Sequence, residues 1–177
     1  MGDAESSLRD RMHFVADIVR DAGGEIVGRT KLQKSVFFLD LAGFDIPFRF
    51  GYKHYGPYSE SLAEAAELAA ALDLVSERQQ PASWGGTYSV YSVLRTADPE
   101  PSIRVQLLRE AVGSDPILLE LAATAGYLAR EGSAEPWAET ARRKPDKSAN
   151  GRLGRAKDLY RRLRGASRDK IPEIPSL

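Results

Sequence analysis

The chain of 177 residues contains no cysteine, which excludes disulfides, thiolate zinc or iron–sulfur ligation and a cysteine nucleophile. It has only two histidines, His13 and His54, far apart and without a His-x-x-x-His spacing. No apolar run approaches the ~18 residues that a membrane-spanning helix needs. The first ten residues, MGDAESSLRD, are polar and acidic and do not read as a secretory signal. Phosphate-cradling loops are absent: the pairs Gly23-Gly24 and Gly85-Gly86 stand alone, with no G-x-G-x-x-G or Walker pattern around them. Membrane insertion, metal chemistry and nucleotide hydrolysis of the familiar kinds are therefore not expected, no cofactor is expected, and cytoplasmic residence is the default.

What is present is an ordinary globular composition, 42% hydrophobic and 28% charged, with an uneven charge distribution. Residues 1–141 carry 13 Lys/Arg against 21 Asp/Glu, whereas residues 142–170 carry 12 against three. An acidic body with a basic end suits either an anion or nucleic-acid footprint or a self-complementary surface.

Periodicity predicts a mainly α protein with a small β-hairpin or sheet. Leu8, Met12, Val15 and Val19 form one helical stripe, ended by Gly23-Gly24. Thr30-Lys31-Leu32-Gln33 has the form of a capping box and opens an apolar helix, KLQKSVFFLDLAG. Phe48 to His54 alternates as a half-buried strand, which Gly56-Pro57 is expected to break. Ser59 or Ser61 then caps a helix to about Ala71, with Ser61 and Glu64 as a second capping box. Its inward face is Leu62, Ala65, Ala69 and Leu72, and its outward stripe is Glu60, Glu64 and Glu67. Strands over 74–78 and 87–95 follow, separated by a polar loop. This is winged-helix-like order for a domain over residues 1–95.

The Pro-broken run 96–102 is the best internal boundary. A helical subdomain over 96–166 is expected beyond it, packed on the first, with a tail over 167–177. Asp115-Pro116 opens an apolar helix and Pro136 a short one, and Asn150 is placed as the cap of a last helix. That helix repeats Leu153, Ala156, Tyr160 and Leu163 and carries six Lys/Arg on its other sides.

Two strings, GRTKLQKSVFFLDLAGF and FRFGYKHYGPYSESLAEAAELAAALDLV, with the later LLELAATAGYLAREG and ARRKPDKSANGRLGRAKDLYRRL, resemble the YwgA-like family of uncharacterised prokaryotic proteins over roughly residues 10–164. KLQKSVFFLD with a downstream aromatic-Gly-Pro turn is, more distantly, similar to the Panacea antitoxin domain. The resemblance implies a helix-rich winged-helix-like fold and a role in regulation, toxin neutralisation or phage defence, and it supplies no catalytic residues.

No nucleophile, base and acid stand at workable spacing. His13 sits among Asp10 and Asp17 as on many solvated helices. His54 reads as a half-buried imidazole on an aromatic strand, and Ser59 reads as a cap. Tyr52, Tyr55 and Tyr58 read first as packing residues and second as stacking platforms.

The expectation is a non-catalytic interaction or regulatory protein that binds a partner protein, or a second copy of itself, through Glu60, Glu64 and Glu67. The alternative is a DNA-binding regulator, with an enzyme of unrecognised type third. The helix in the usual DNA-reading position has no Lys, Arg, Asn or Gln. Nucleic-acid or anion contact, if made, therefore falls to Arg29, Lys31 and Lys34 or to Arg152, Arg155, Arg161 and Arg162.

Overall fold

The computed structural model describes residues 7–94 and 97–175. Its elements are α1 (Leu8–Asp21), β1 (Glu25–Val27), α2 (Arg29–Leu41), β2 (Gly51–Lys53), β3 (Gly56–Tyr58), α3 (Glu60–Ala71), β4 (Ser76–Pro81) and β5 (Thr87–Ser92). Five helices follow: α4 (Ile103–Gly113), α5 (Pro116–Arg130), α6 (Pro136–Arg143), the single turn α7 (Pro145–Ser148) and α8 (Arg152–Ala166). The protein is mainly helical with two small sheets, as the periodicity predicts.

The larger sheet is antiparallel in the order β1-β5-β4. Glu25 to Val27 pairs with Val90 to Ser92, and Ser76 to Pro81 runs the full length of β5. Helices α1, α2 and α3 followed by this sheet make the winged-helix-like half. Its outer strand, SERQQP, is polar, charged and closed by a proline, features that discourage a further strand from pairing.

The buried apolar side chains form one cluster, from Met12 to Ile174, that runs through both halves of the chain. Two helices are its axis. In α2 every residue from Leu32 to Leu39 is buried, and in α5 every residue from Leu119 to Gly126. At Gly126 a side chain's first carbon would lie 2.8 Å from Leu41 and 3.3 Å from Tyr160, so glycine sets the close approach of α5 to α2 and α8. Rings close the remaining space: Phe37 meets Phe38, Phe50 and Tyr127, and Tyr160 meets Phe38 and Trp137. The tail returns to this core, burying Ile171 and Ile174, and the carbonyl of Pro172 accepts from the Tyr160 hydroxyl.

Several local expectations are corrected. Helix α2 starts two residues early, with Gly28 in place of Thr30 as its cap and no side-chain cap bond, so Thr30 and Gln33 form no capping box. Tertiary bonding takes Gln33 instead. Gly56-Pro57 does not end a strand but begins one. It pairs with Lys53 and Tyr52 across a turn at His54-Tyr55, because Pro57 needs no partner for an N–H on this short edge. The strand itself is only Gly51–Lys53. Burial of Phe48, Phe50 and Tyr52 follows the expected alternation, while His54 swings out at the turn and is exposed. Ser59, not Ser61, caps α3, accepting from the N–H of Leu62. Leu72 lies past the helix end and is exposed, because α3 already closes against α1 through Leu62, Ala65 and Ala69. Gly151, in the left-handed conformation, replaces Asn150 as the cap of α8. A capping box unforeseen in the sequence opens α1, where Ser7 and Asp10 bond reciprocally.

Candidate functional site

Three places gather polar side chains: the junction of the β2–β3 hairpin with α2 and α5, the outer face of α3, and a cavity beneath the β4–β5 hairpin.

At the junction, buried polar groups are matched one to one. The Gln33 amide donates to the carbonyl of Ser59 and accepts from its N–H, both at 2.9 Å. The next residue, Lys34, is 1% exposed and donates to the carbonyl of Pro57 at 2.7 Å. Gly56, at φ +84°, lies so close to α5 that an added Cβ would stand 2.5 Å from Thr124 Oγ1. The strings K-L-Q-K and Y-G-P-Y-S thus meet as two halves of one clamp, which seats the hairpin on α2 and α5.

Behind the clamp lies an ionic cluster. Glu120, buried on α5, accepts from Lys144 at 2.6 Å and from Lys147 at 2.7 and 2.8 Å; Lys144 also donates to the carbonyl of His54. Lys34 feels the same charges. Burial lowers its pKa from 10.5 to about 8, Lys144 and Lys147 push the same way, and Glu120 opposes them. Two ammonium groups share the Glu120 carboxylate, and a third, that of Lys34, lies within reach of their charge.

The cavity has a volume of about 850 Å³. Its lining comes from the β4–β5 hairpin, the first turn of α2, the start of α5, the hairpin turn at Tyr55, and Glu120 with Lys147 from the cluster. The expected cations divide here. Arg29 and Lys31 line the cavity, with Arg29 3.6 Å from Glu77 and Lys31 donating to the carbonyl of Val112. Lys34, expected at the surface with them, is instead buried behind it, because its position on α2 faces the hairpin and not solvent.

Glu60, Glu64 and Glu67 are exposed along one side of α3. Among the described residues, only Glu60 makes an ion pair, with Lys53.

The arginines of α8 do not join Arg29 and Lys31 at the cavity. Arg162 binds Glu110 at 2.8 Å, Arg161 binds Asp158, and Arg164 binds Asp169 at 2.8 Å. Arg152 donates to the carbonyl of Asp146 at 3.4 Å, and Arg155 is exposed on α8.

His13 is exposed; Asp10 is engaged by the Ser7 cap and Asp17 by Arg20. His54, expected half-buried, is exposed and contributes its backbone carbonyl alone to the cluster. The tyrosines each carry a cation on the ring: Arg143 on Tyr52, Lys147 on Tyr55 and Lys53 on Tyr58. Tyr52 also packs on Tyr127.

The sequence reading missed Glu120 and Trp84. Glu120 is the lone carboxylate in the apolar run ILLELAATAG, and a charge at a core position announces a buried partner. Trp84 lies in a polar loop, 74% exposed, at the cavity. Among the described residues no helix is long and apolar enough to cross a membrane. No protein-family model matches the chain, and no curated protein matches it.

Proposed function

We propose that the protein is a non-catalytic winged-helix-like interaction module that docks a basic segment of a partner protein on the outer face of α3. The observation that carries this reading is the exposed row Glu60, Glu64 and Glu67 on the helix that, in a winged helix, faces the ligand. Carboxylates there repel phosphates and attract lysine and arginine. The resemblance to the YwgA-like family and the Panacea antitoxin domain suits a partner of the toxin or phage-defence kind.

DNA binding through α8 draws less support. Two of its exposed arginines meet carboxylates of their own surroundings, Arg161 with Asp158 and Arg162 with Glu110, so a phosphate must compete with them there.

The test compares two charge-reversed variants: Glu60→Lys, Glu64→Lys and Glu67→Lys together on α3, and Arg155→Glu, Arg161→Glu and Arg162→Glu together on α8. Tagged proteins are recovered from the native host at low salt, and a co-purifying partner is then titrated as a purified protein. Three reversals at the rim of a charged interface are expected to weaken its affinity at least tenfold, with a matching salt dependence, while the α8 variant binds normally. Equal binding by the α3 variant refutes the docking face. Salt-sensitive binding of duplex DNA lost only in the α8 variant replaces it with the alternative.

A further inference from the structure

The cavity beneath the β4–β5 hairpin takes no part in the α3 docking face, and its lining has a composition of its own. One side is aromatic: Trp84, 74% exposed, and Tyr55, 64% exposed. Large rings left this open to water are unusual away from a binding surface, and here two from separate turns line one cavity. Another side is cationic: Arg29 and Lys31 flank the first turn of α2. The N–H groups of Arg29, Thr30 and Lys31 have no partner within the helix, and no side chain caps them.

A second, independent observation concerns the floor. Glu120 and Lys147 reach it, and behind them Lys34 and Lys144 are buried. Lys144 and Lys147 on the one Glu120 carboxylate, with the buried Lys34 near them, leave an excess of positive charge that is largely shielded from water. Such an excess is stabilised by an anion brought into the cavity. The volume, about 850 Å³, is in the range of small-ligand sites.

We propose that this cavity binds a nucleotide, its base against Trp84 and Tyr55 and its phosphate at Arg29, Lys31 and the first turn of α2. The proposal is of binding alone, and the chain carries no phosphate-loop pattern. The base and the phosphate are both required, since the rings alone favour any planar molecule and the cations alone any anion. A free nucleotide and a nucleotide at the end of a single strand present the same chemistry.

Fluorescence and calorimetry test this on the full chain. Trp84 is exposed while the other tryptophan, Trp137, is buried, so quenching reports on the cavity. The probes are AMP, UMP, adenosine, inorganic phosphate and a 5′-phosphorylated pentadeoxythymidylate. Saturable quenching by AMP or UMP is expected, with affinity about tenfold or more above that of adenosine or phosphate, from the charge-assisted bonds and the stacking together. Arg29→Gln should reduce AMP binding about tenfold and leave adenosine unchanged. Trp84→Leu, followed by calorimetry, should weaken both; this side chain is on an exposed turn, so the variant folds. Tighter binding of the pentamer identifies strand ends as the source and equal binding the free nucleotide, and both outcomes uphold the site. Phosphate binding as tightly as AMP, adenosine binding as tightly as AMP, no saturable binding at millimolar concentrations, or binding indifferent to both substitutions overturns it. Because the α3 glutamates are no part of this cavity, their reversal leaves nucleotide binding intact, and the two proposals fail separately.

Discussion

Stability should rise as the solution is made alkaline from pH 8 to pH 10, and Lys34 should be the cause. In the folded protein its ammonium titrates at about 8, held down first by burial and then by Lys144 and Lys147; in the unfolded chain it titrates at 10.5. Below pH 8 both states hold the proton, and folding bears the cost of the buried charge. Between 8 and 10.5 the folded state has released the proton and the unfolded state still holds it. The unfolded chain then binds more protons, so the free energy of unfolding increases with pH. By pH 10 the gain from this one group is about 2.5 kcal/mol, which for a chain of this size raises the melting temperature by roughly 5–10 °C. Above pH 10 the sign reverses, because burial raises the pKa of the Tyr91 and Tyr160 hydroxyls and the unfolded chain loses those protons first. The assay is urea unfolding at pH 7.5, 8.5, 9.25 and 10 on the wild type and on Lys34→Met, which keeps the length of the side chain without the amine. The difference between the two proteins isolates Lys34 from every other group. Parallel curves for the two would refute the argument.

Gln33→Ala should cost about 1–3 kcal/mol in urea unfolding, since it leaves the N–H of Ser59 buried without a partner while the Ser59 carbonyl keeps the N–H of Ala63; a loss below about 0.5 kcal/mol shows that the clamp is not holding the hairpin. Gly56→Ala should destabilise by at least about 2 kcal/mol, from the left-handed backbone and the overlap with Thr124 Oγ1. In a Thr124→Ala background the same change should cost less, because the overlap is gone and only the backbone strain remains, and equal costs in the two backgrounds disprove the contact.

The sequence made the elements legible where periodicity or a cap marked them. Val15 and Val19 of α1, the Asp115-Pro116 start of α5 and the repeat of Ala156, Tyr160 and Leu163 in α8 all read directly, since each signal is local. The misreadings share one cause. Thr30 to Gln33 has the form of a capping box, yet Gln33 is fully occupied by Ser59, 26 residues away. Gly56-Pro57 has the form of a break, yet Pro57 supplies the carbonyl that Lys34 needs. In both, a long-range bond to a buried group outranks the local pattern. Of the site, the acidic row on α3 was visible because helical spacing alone places it on one face. The cavity was not, since its lining comes from the β4–β5 hairpin, the first turn of α2, the start of α5, the Tyr55 turn and the Glu120–Lys147 pair.

The charge split of the sequence resolves unequally in three dimensions, and that inequality decides which surface is open to recognition. The basic segment that begins at Arg142 is not one patch. Lys144 and Lys147 turn inward to Glu120, Arg142 and Arg143 hold Glu139, and on α8 Arg161, Arg162 and Arg164 meet Asp158, Glu110, Asp169 and Glu173, while Arg155 is exposed. The Glu139 carboxyl, held below its usual range by the two guanidinium groups, is one of these local matches. On α3, by contrast, among the described residues only Glu60 of the three exposed carboxylates has an ion-pair partner, Lys53. Exposed ion pairs contribute little to stability, about 0–1 kcal/mol each, so their distribution matters less to the fold than to what may approach it. A polyanion reaching Arg161, Arg162 or Arg164 must displace carboxylates already in place, while among the described residues a polycation approaching the α3 glutamates displaces Lys53. A zero net charge thus conceals an uneven surface, and under the proposed function the complement of its acidic α3 face is a basic protein segment.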